Sequence, residues 1–440
     1  MRLLTSALLR PPSLFASALS ALLATAVSPA VSGTDWELLQ ASPAQSGRHE
    51  DVSFADPYTG WVANLGGEIW KTSDGGDTWT RQLAAALPFR ALGAATVCLV
   101  WAGTLNAGSP LHETTDGGEN WIDVSSRISG PPPAGICGIS VVNPRTAYAV
   151  GRYSGPAHVL KTTDSGHTWE STDMGPYAKT LVDVFFFDEL HGFVAGGTDP
   201  NLPDGRGVVL ETTDGGLTWE TRHTTTETGE WCWKFSFPSE SVGFVSVENF
   251  GFGAKVLKTT DAGATWSEIV ILTDPLQGVG FVTETDGWIS GGGTTARTTD
   301  GGATWSLDPL DGAVNRFRIL SPGLGYAVGS RVYKYNDGTT GLPDLVSGPP
   351  PGAVTTVPNP FRTSTSIAYD LDHSGRVRLA IYDALGRRVR CLVDHAQAAG
   401  SHEVRWNGRS EDGRQVPMGI YFVKLDAVGT AGWRRVTLLP

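Results

Sequence analysis

Basic charge, cysteine and long apolar runs are all scarce in this chain of 440 residues. Residues 31–354 carry 19 Lys and Arg against 37 Asp and Glu, a net charge of −18. A surface of that sign argues against nucleic acid and anionic membranes as partners. The four cysteines, Cys98, Cys137, Cys232 and Cys391, contain no C-x-x-C pair. They read as free buried thiols, although export would permit one bridge. The nine histidines fall singly, with no H-E-x-x-H and no paired ligand spacing, and there is neither a G-x-S-x-G elbow nor a phosphate loop. No catalytic residue, no cofactor and no metal ligand is therefore assigned. One apolar stretch, from about Leu14 to Val27, follows Arg2 and Arg10, with Ala24-Thr25-Ala26 near its end as an A-x-A cleavage site and Ala30 as a second candidate. Residues 1–30 read as a signal peptide, and the run is too short and proline-flanked for a membrane anchor. The mature chain is expected to be exported and to hold no transmembrane segment.

What is abundant is one pattern, T-x-D-[GSA]-G-x-x-W, found six times: Thr72–Trp79, Thr114–Trp121, Thr162–Trp169, Thr212–Trp219, Thr259–Trp266 and Thr298–Trp305. The aspartates, Asp74, Asp116, Asp164, Asp214, Asp261 and Asp300, lie 42, 48, 50, 47 and 39 residues apart. That period suits a four-stranded propeller blade. An aspartate can accept the amides of its own turn, the glycine tolerates positive φ, and the tryptophan folds back over the turn. The motif resembles the Asp-box of bacterial neuraminidase repeats. In that family the box lies on the blade periphery, which implies that the six aspartates are structural. A calcium or ligand site is the lesser alternative, because each box offers one carboxylate.

Between boxes an apolar residue precedes a small-aromatic pair by about six positions: Phe54 with Gly60-Trp61, Val141 with Ala147-Tyr148, Phe186 with Gly192-Phe193, Phe237 with Gly243-Phe244, Phe281 with Gly287-Trp288 and Ile319 with Gly325-Tyr326. Gly93 with Leu99-Val100 is a degraded copy. Seven strand pairs thus stand against six boxes. Lys334-Tyr335-Asn336-Asp337-Gly338 aligns with Lys71-Thr72-Ser73-Asp74-Gly75 but no tryptophan follows, whereas Gly33-Thr34-Asp35-Trp36-Glu37 aligns with Gly76-Asp77-Thr78-Trp79-Thr80. The expected fold is all-β: a seven-bladed β-propeller over 31–340 whose last blade borrows its outer strand from Trp36–Gln40, with six or eight blades as alternatives. Closing the ring this way removes sheet edges. The blade consensus most resembles the photosystem II stability/assembly-factor type of Asp-box propeller over about 34–338. That resemblance implies binding to membrane-protein partners without catalysis.

A Gly/Pro-rich linker spans 341–354. Beyond it, alternating strands read at Ser366–Leu371, Val377–Asp383, Arg388–Val393, His402–Trp406, Gly419–Asp426 and Trp433–Leu438, with a turn at Ala384-Leu385-Gly386. Six strands over 355–440 suggest a small immunoglobulin-like β-sandwich. Pro358-Asn359-Pro360-Phe361, Ile381–Arg387, Ala399-Gly400-Ser401-His402, Trp406-Asn407-Gly408, Asp412-Gly413 and Gly419-Ile420-Tyr421-Phe422 resemble the sorting domain of type IX secretion substrates and the related domain of flagellar hook-capping proteins. The resemblance implies delivery to the cell surface through outer-membrane secretion machinery.

If the propeller binds a ligand, the channel mouth is the default place. Three residues before each first-strand apolar position lie Asp51, Arg90, Gly138, Asp183, Lys234, Gly278 and Arg316. Such a ring could bind a ligand or pair with itself. Trp231 and Trp233, beside Lys234, could stack on a sugar or peptide if exposed and are core if buried. Two functions are carried forward. The first is an exported, non-catalytic scaffold recognising a protein or glycan of the cell envelope. The second is a glycoside hydrolase, for which Phe317-Arg318-Ile319-Leu320 resembles the F-R-I-P motif of sialidases, with leucine for proline and placed after the boxes. Tandem-propeller endo-glucanases acting on xyloglucan are the other precedent. A hydrolase requires two carboxyls about 5–5.5 Å or 6.5–9.5 Å apart in one cleft.

Overall fold

The computed structural model describes residues 35–43, 47–249, 253–271, 276–337, 354–371, 373–383, 388–410, 413–427 and 430–439. The signal-peptide segment, residues 341–353 of the linker and the Ala384-Leu385-Gly386 turn lie outside the described residues.

Phenylalanine followed six residues later by glycine is a steric fit. Phe54 pairs across the ladder with Gly60, Phe186 with Gly192 and Phe281 with Gly287. A Cβ on any of these glycines would come within 2.4–2.5 Å of the facing ring. The residue after the glycine, or after Ala147 in the third sheet, then reaches the neighbouring sheet: Tyr148 stacks on Phe186 at 3.5 Å, Phe244 on Phe281 at 3.5 Å and Tyr326 on Phe54 at 3.9 Å. One dipeptide therefore sets both the hairpin and the sheet-to-sheet contact.

Among the described residues, seven sheets occupy 35–337. All are four-stranded and antiparallel except the third, where Ile128–Ser129 adds a short parallel strand beside Trp169–Asp173. Their first strands are His49–Phe54, Phe89–Ala94, Gly138–Val141, Thr180–Phe186, Glu230–Ser236, Gly278–Phe281 and Val314–Ser321. Each first strand packs on the next, and Val314–Ser321 packs back on His49–Phe54. In the last sheet Trp36–Leu38 is the outer strand, with Trp36 opposite Tyr335 and Leu38 opposite Tyr333. Trp36 is buried against Trp288, Phe317 and Tyr335 at centroid distances of 5.4–5.5 Å.

The repeated turn is held by its own side chains. In the fourth copy Thr212 Oγ1 donates to Asp214 Oδ1 at 2.9 Å and accepts the Gly216 amide at 2.8 Å. Thr218 gives its amide to Asp214 Oδ1 at 2.9 Å and its hydroxyl to Oδ2 at 2.6 Å. The other five copies repeat this set, with Asn120 in place of threonine in the second. The same turns join neighbouring sheets. Lys71, Lys161, Lys258 and Lys334 each donate to a turn glycine carbonyl of the next sheet, Gly117, Gly215, Gly301 and Gly75, at 2.7–2.9 Å.

Residues 354–439 form two further antiparallel sheets. One orders Thr355–Val357, Thr365–Leu371 and Gly400–Trp406; the other orders Arg388–Gln397, Gly375–Asp383, Gly419–Ala427 and Thr430–Leu438. Ile367 and Trp406 from the first meet Leu379, Val423 and Val436 from the second in one buried cluster. Cys98, Cys137 and Cys232 carry free thiols.

Candidate functional site

The first strands of five sheets carry a register shift near their N-terminal ends, at His49/Asp51, Phe89/Ala91, Leu181/Asp183, Cys232/Phe235 and Val314/Arg316. A bulge there re-aims side chains, and polar groups from opposite sheets meet around the common axis.

The inner tier is self-neutralising. Arg316 binds Asp183 Oδ1 through both terminal nitrogens at 3.0 Å, and its Nε lies 3.1 Å from Asp51 Oδ1. Lys234 Nζ stands 3.6 Å from Asp183, and Arg318 Nη2 3.3 Å from Asp51. Backbone amides complete the carboxylates: Leu92 donates to Asp51 and Phe235 to Asp183, each at 3.0 Å. Gly138 makes room, because a Cβ there would fall 2.9 Å from Asp183 Oδ1. Burial would raise the Asp183 carboxyl, but Arg316 and Lys234 hold it below the ordinary range. Burial, with Arg316 beside it, pushes the Lys234 ammonium down to about 7. Asp51, Asp183, Lys234 and Arg316 are all buried.

Arg90 belongs to a second tier, nearer the N-terminal ends of the strands. Ala94, not Gly93, occupies the position equivalent to Phe54, since Ala94 pairs with Val100 as Phe54 pairs with Gly60. Arg90 is therefore the counterpart of Glu50. The two form a buried ion pair, and Arg48 Nε reaches the same Glu50 at 2.5 Å. Arg48 Nη1 donates to Gln277 Oε1, and Gln277 Nε2 to Glu248 Oε1, both at 2.9 Å. The Arg90 guanidinium lies 5.3 Å from the Trp233 ring centroid. Burial brings the Arg90 guanidinium down to about 10 and pushes the Glu248 carboxyl up. Arg48 is the outermost charge, with 36% of its side chain exposed.

Trp231 and Trp233 are 7% and 5% exposed. They pack with Val182 and Tyr153, and Trp231 donates to the Asp199 carbonyl at 3.0 Å. They form the floor beneath the half-buried Tyr153 and present no open ring face. Arg48, Glu50, Tyr153, Glu248 and Gln277 escaped the sequence reading. Each lies off the one-per-repeat spacing, and only the charge pair Glu50-Asp51 at a strand start hinted at a second tier. The six turn aspartates sit away from this cluster, each saturated by its own turn. The Thr218 hydroxyl and amide hold Asp214 down to about 2, and Thr304 does the same for Asp300.

Glycoside hydrolysis needs a proton-bearing carboxyl facing an ionised one across a cleft. Asp51 and Asp183 share one guanidinium, which holds the Asp183 carboxyl below its ordinary range. Glu248 has the raised carboxyl, but Oε1 accepts from Gln277 and its neighbour Glu50 is engaged by two arginines. Among the described residues no cluster of histidine, cysteine and acidic side chains fits a metal ion. Among the described residues no helix is long and apolar enough to cross a membrane.

The architecture has solved counterparts. The structure of YCF48 bound to D1 peptide matches with a TM-score of 0.53 at 20% identity, covering 70% of this chain and 99% of that one. YCF48 from Cyanidioschyzon merolae matches with a TM-score of 0.54 at 18% identity, covering 69% and 99%. An ancestral GH74 enzyme matches with a TM-score of 0.51 at 13% identity, covering 92% of this chain and 63% of that one. At these identities the likeness is one of fold, and the fold is a β-propeller. No curated protein sequence matches the chain. The family model of the FlgD Ig-like domain matches residues 361–431. The model described as photosynthesis system II assembly factor YCF48 matches residues 28–172 and 162–279, more than half of the sequence, and the chain belongs to that family.

Proposed function

We propose that the chain is an exported, non-catalytic scaffold whose β-propeller recognises a segment of a cell-envelope protein at the N-terminal end of its axis. The observation that carries this reading is the saturation of the axial carboxylates. Asp51, Asp183 and Glu50 are each engaged by arginine, which suits a rigid recognition platform and leaves no acid–base pair free among the three. A related propeller has been solved with a peptide bound, which supports a protein ligand ahead of a glycan. On this reading the propeller has seven blades, the repeated turns are Asp-boxes, and the borders are 1–30 signal peptide, 31–340 propeller, 341–354 linker and 355–440 immunoglobulin-like sorting sandwich. The family match at 361–431 supports the last of these. Secretion machinery of the outer membrane is its proposed partner, and the cell surface its proposed destination.

The test is capture from the native envelope with the mature protein as bait, followed by peptide mapping of the bound segment. Arg48→Gln, at a half-buried position, is expected to reduce capture by about tenfold at a modest cost to the unfolding midpoint, because Arg90 still pairs with Glu50. Equal capture by the variant overturns the assigned face. Release of reducing ends from xyloglucan or sialic acid from a sialoside by the purified protein overturns the non-catalytic reading in favour of a glycoside hydrolase.

A further inference from the structure

The opposite end of the axis holds a cavity that the function above does not use. Its volume is about 260 Å³, and it opens among the C-terminal ends of the first strands of the fourth to seventh sheets. Phe185, Phe237 and Phe317 wall it, Ile319 and Leu320 form its rim, and Arg318 enters from the side. Leu320 is 37% exposed, so the cavity communicates with solvent. Its apolar wall is built in: Phe185 and Phe237 stack at 4.7 Å, and Gly280 lets Phe317 lie flat, since a Cβ there would come within 2.4 Å of the Phe317 Cβ.

Arg318 is the polar element. Its Nε donates to the Val52 carbonyl at 3.2 Å and its Nη2 to the Asp51 carboxylate at 3.3 and 3.4 Å. Nη1 has no acceptor among the described residues, and 29% of the side chain is exposed. The Asp51 carboxylate is shared with Arg316, whose contact at 3.1 Å is shorter. Arg318 therefore holds only the longer share of the Asp51 carboxylate. An open guanidinium edge on a phenylalanine-lined wall calls for an anion attached to an apolar body. A volume below the roughly 300–1,000 Å³ of drug-sized sites limits that body to one aromatic or branched side chain. A carboxylate matches the planar fork of the open guanidinium edge.

We propose that this cavity is a binding site for an aromatic carboxylate, its ring among Phe185, Phe237 and Phe317 and its carboxylate on Arg318 Nη1. The chemistry is shared by two sources, a free aromatic acid and the C-terminal aromatic residue of a partner chain. The site lies at the other end of the axis from the platform proposed above and stands or falls independently of it.

The test is calorimetric titration of the full mature chain with 3-phenylpropionate and with its uncharged counterpart 3-phenylpropan-1-ol. The acid is expected to bind about tenfold more tightly than the alcohol, a ratio set by one charge-assisted contact. Arg318→Gln should erase that preference while retaining weak binding of both. Leu320→Ala lies at the exposed rim, outside every ion pair, and should weaken acid and alcohol alike, which keeps the test decisive if Arg318→Gln fails to fold. Equal binding of acid and alcohol, no saturable binding of either, or indifference of the acid to both variants overturns the proposal. A peptide ending in free phenylalanine then discriminates the sources. Tighter binding than the small acid, abolished by C-terminal amidation, assigns the site to a chain end, and weaker binding assigns it to a free aromatic acid.

Discussion

Single residues on the axis carry opposite charges and are buried, so their energetics are dominated by what is left behind when one is removed. Arg316 joins Asp51 and Asp183 across the ring. Arg316→Met is expected to destabilise the protein by about 3–5 kcal/mol, the cost typical of orphaning a buried charge, visible as a lower urea midpoint. Lys234 behaves differently, because burial already disfavours its charge and brings it down to about 7. In the unfolded chain the ammonium keeps its proton up to an ordinary lysine value near 10.5. Between those values the unfolded state binds more protons than the folded state, so stability rises with pH. Thermal melting of the native protein should therefore improve from pH 7 to pH 9.5 relative to Lys234→Met, which lacks the titrating group. A difference between the two that does not change with pH would mean that the lysine stays charged when folded. Both residues were legible in the sequence as members of a one-per-repeat ring of mixed charge. The pairing of Arg316 with Asp183 across the ring was not, since no local pattern joins residues 133 positions apart.

At the scale of elements, the repeat was legible because each copy is a local device. The Thr-x-Asp turn satisfies itself within seven residues, and the phenylalanine–glycine pair meets across one hairpin. Closure through Trp36 was also legible, as the tryptophan missing after Asp337 reappears at the other end of the chain. The second tier was hidden. Gly93 stood in for Ala94 in a sheet whose small residues erase the phenylalanine marker, so Arg90 read as the equivalent of Asp51 when it is the counterpart of Glu50. The cavity at Arg318 was invisible for a related reason: its wall draws phenylalanines from different strand positions in different sheets. The closing strand offers a direct measurement. Trp36 is 2% exposed and touches three aromatic rings, so Trp36→Ala should cost about 3–5 kcal/mol. It should also speed proteolysis at the N-terminus before the remaining sheets melt. A loss below about 1 kcal/mol would show that the last sheet is held by its other three strands and by Lys334 on Gly75.

For the whole molecule, the distribution of cores decides what can be removed. Residues 35–337 bury their side chains in clusters between successive sheets, and residues 354–439 bury theirs in a single cluster drawn from their own two sheets. The ring needs both of its chain ends, yet its outer strand comes from Trp36–Leu38 and not from anything beyond Asp337. A chain ending at Asp337 should consequently fold, with an unfolding midpoint within a few degrees of the same transition in the full protein, as expected when less than about 1 kcal/mol is lost. If the tail is the sorting module proposed above, the same truncation should leave the protein in the periplasm of its own cell, folded and still able to capture its envelope partner. The two readouts separate the roles cleanly. Unfolding of the truncated chain would make the C-terminal sheets a structural cap on the propeller, whatever their part in export. Normal surface delivery of a folded, truncated protein would strip the tail of its sorting role and leave it as an accessory domain, whose exposed Trp433, with Lys424 over its ring, would then be the first place to look for a contact.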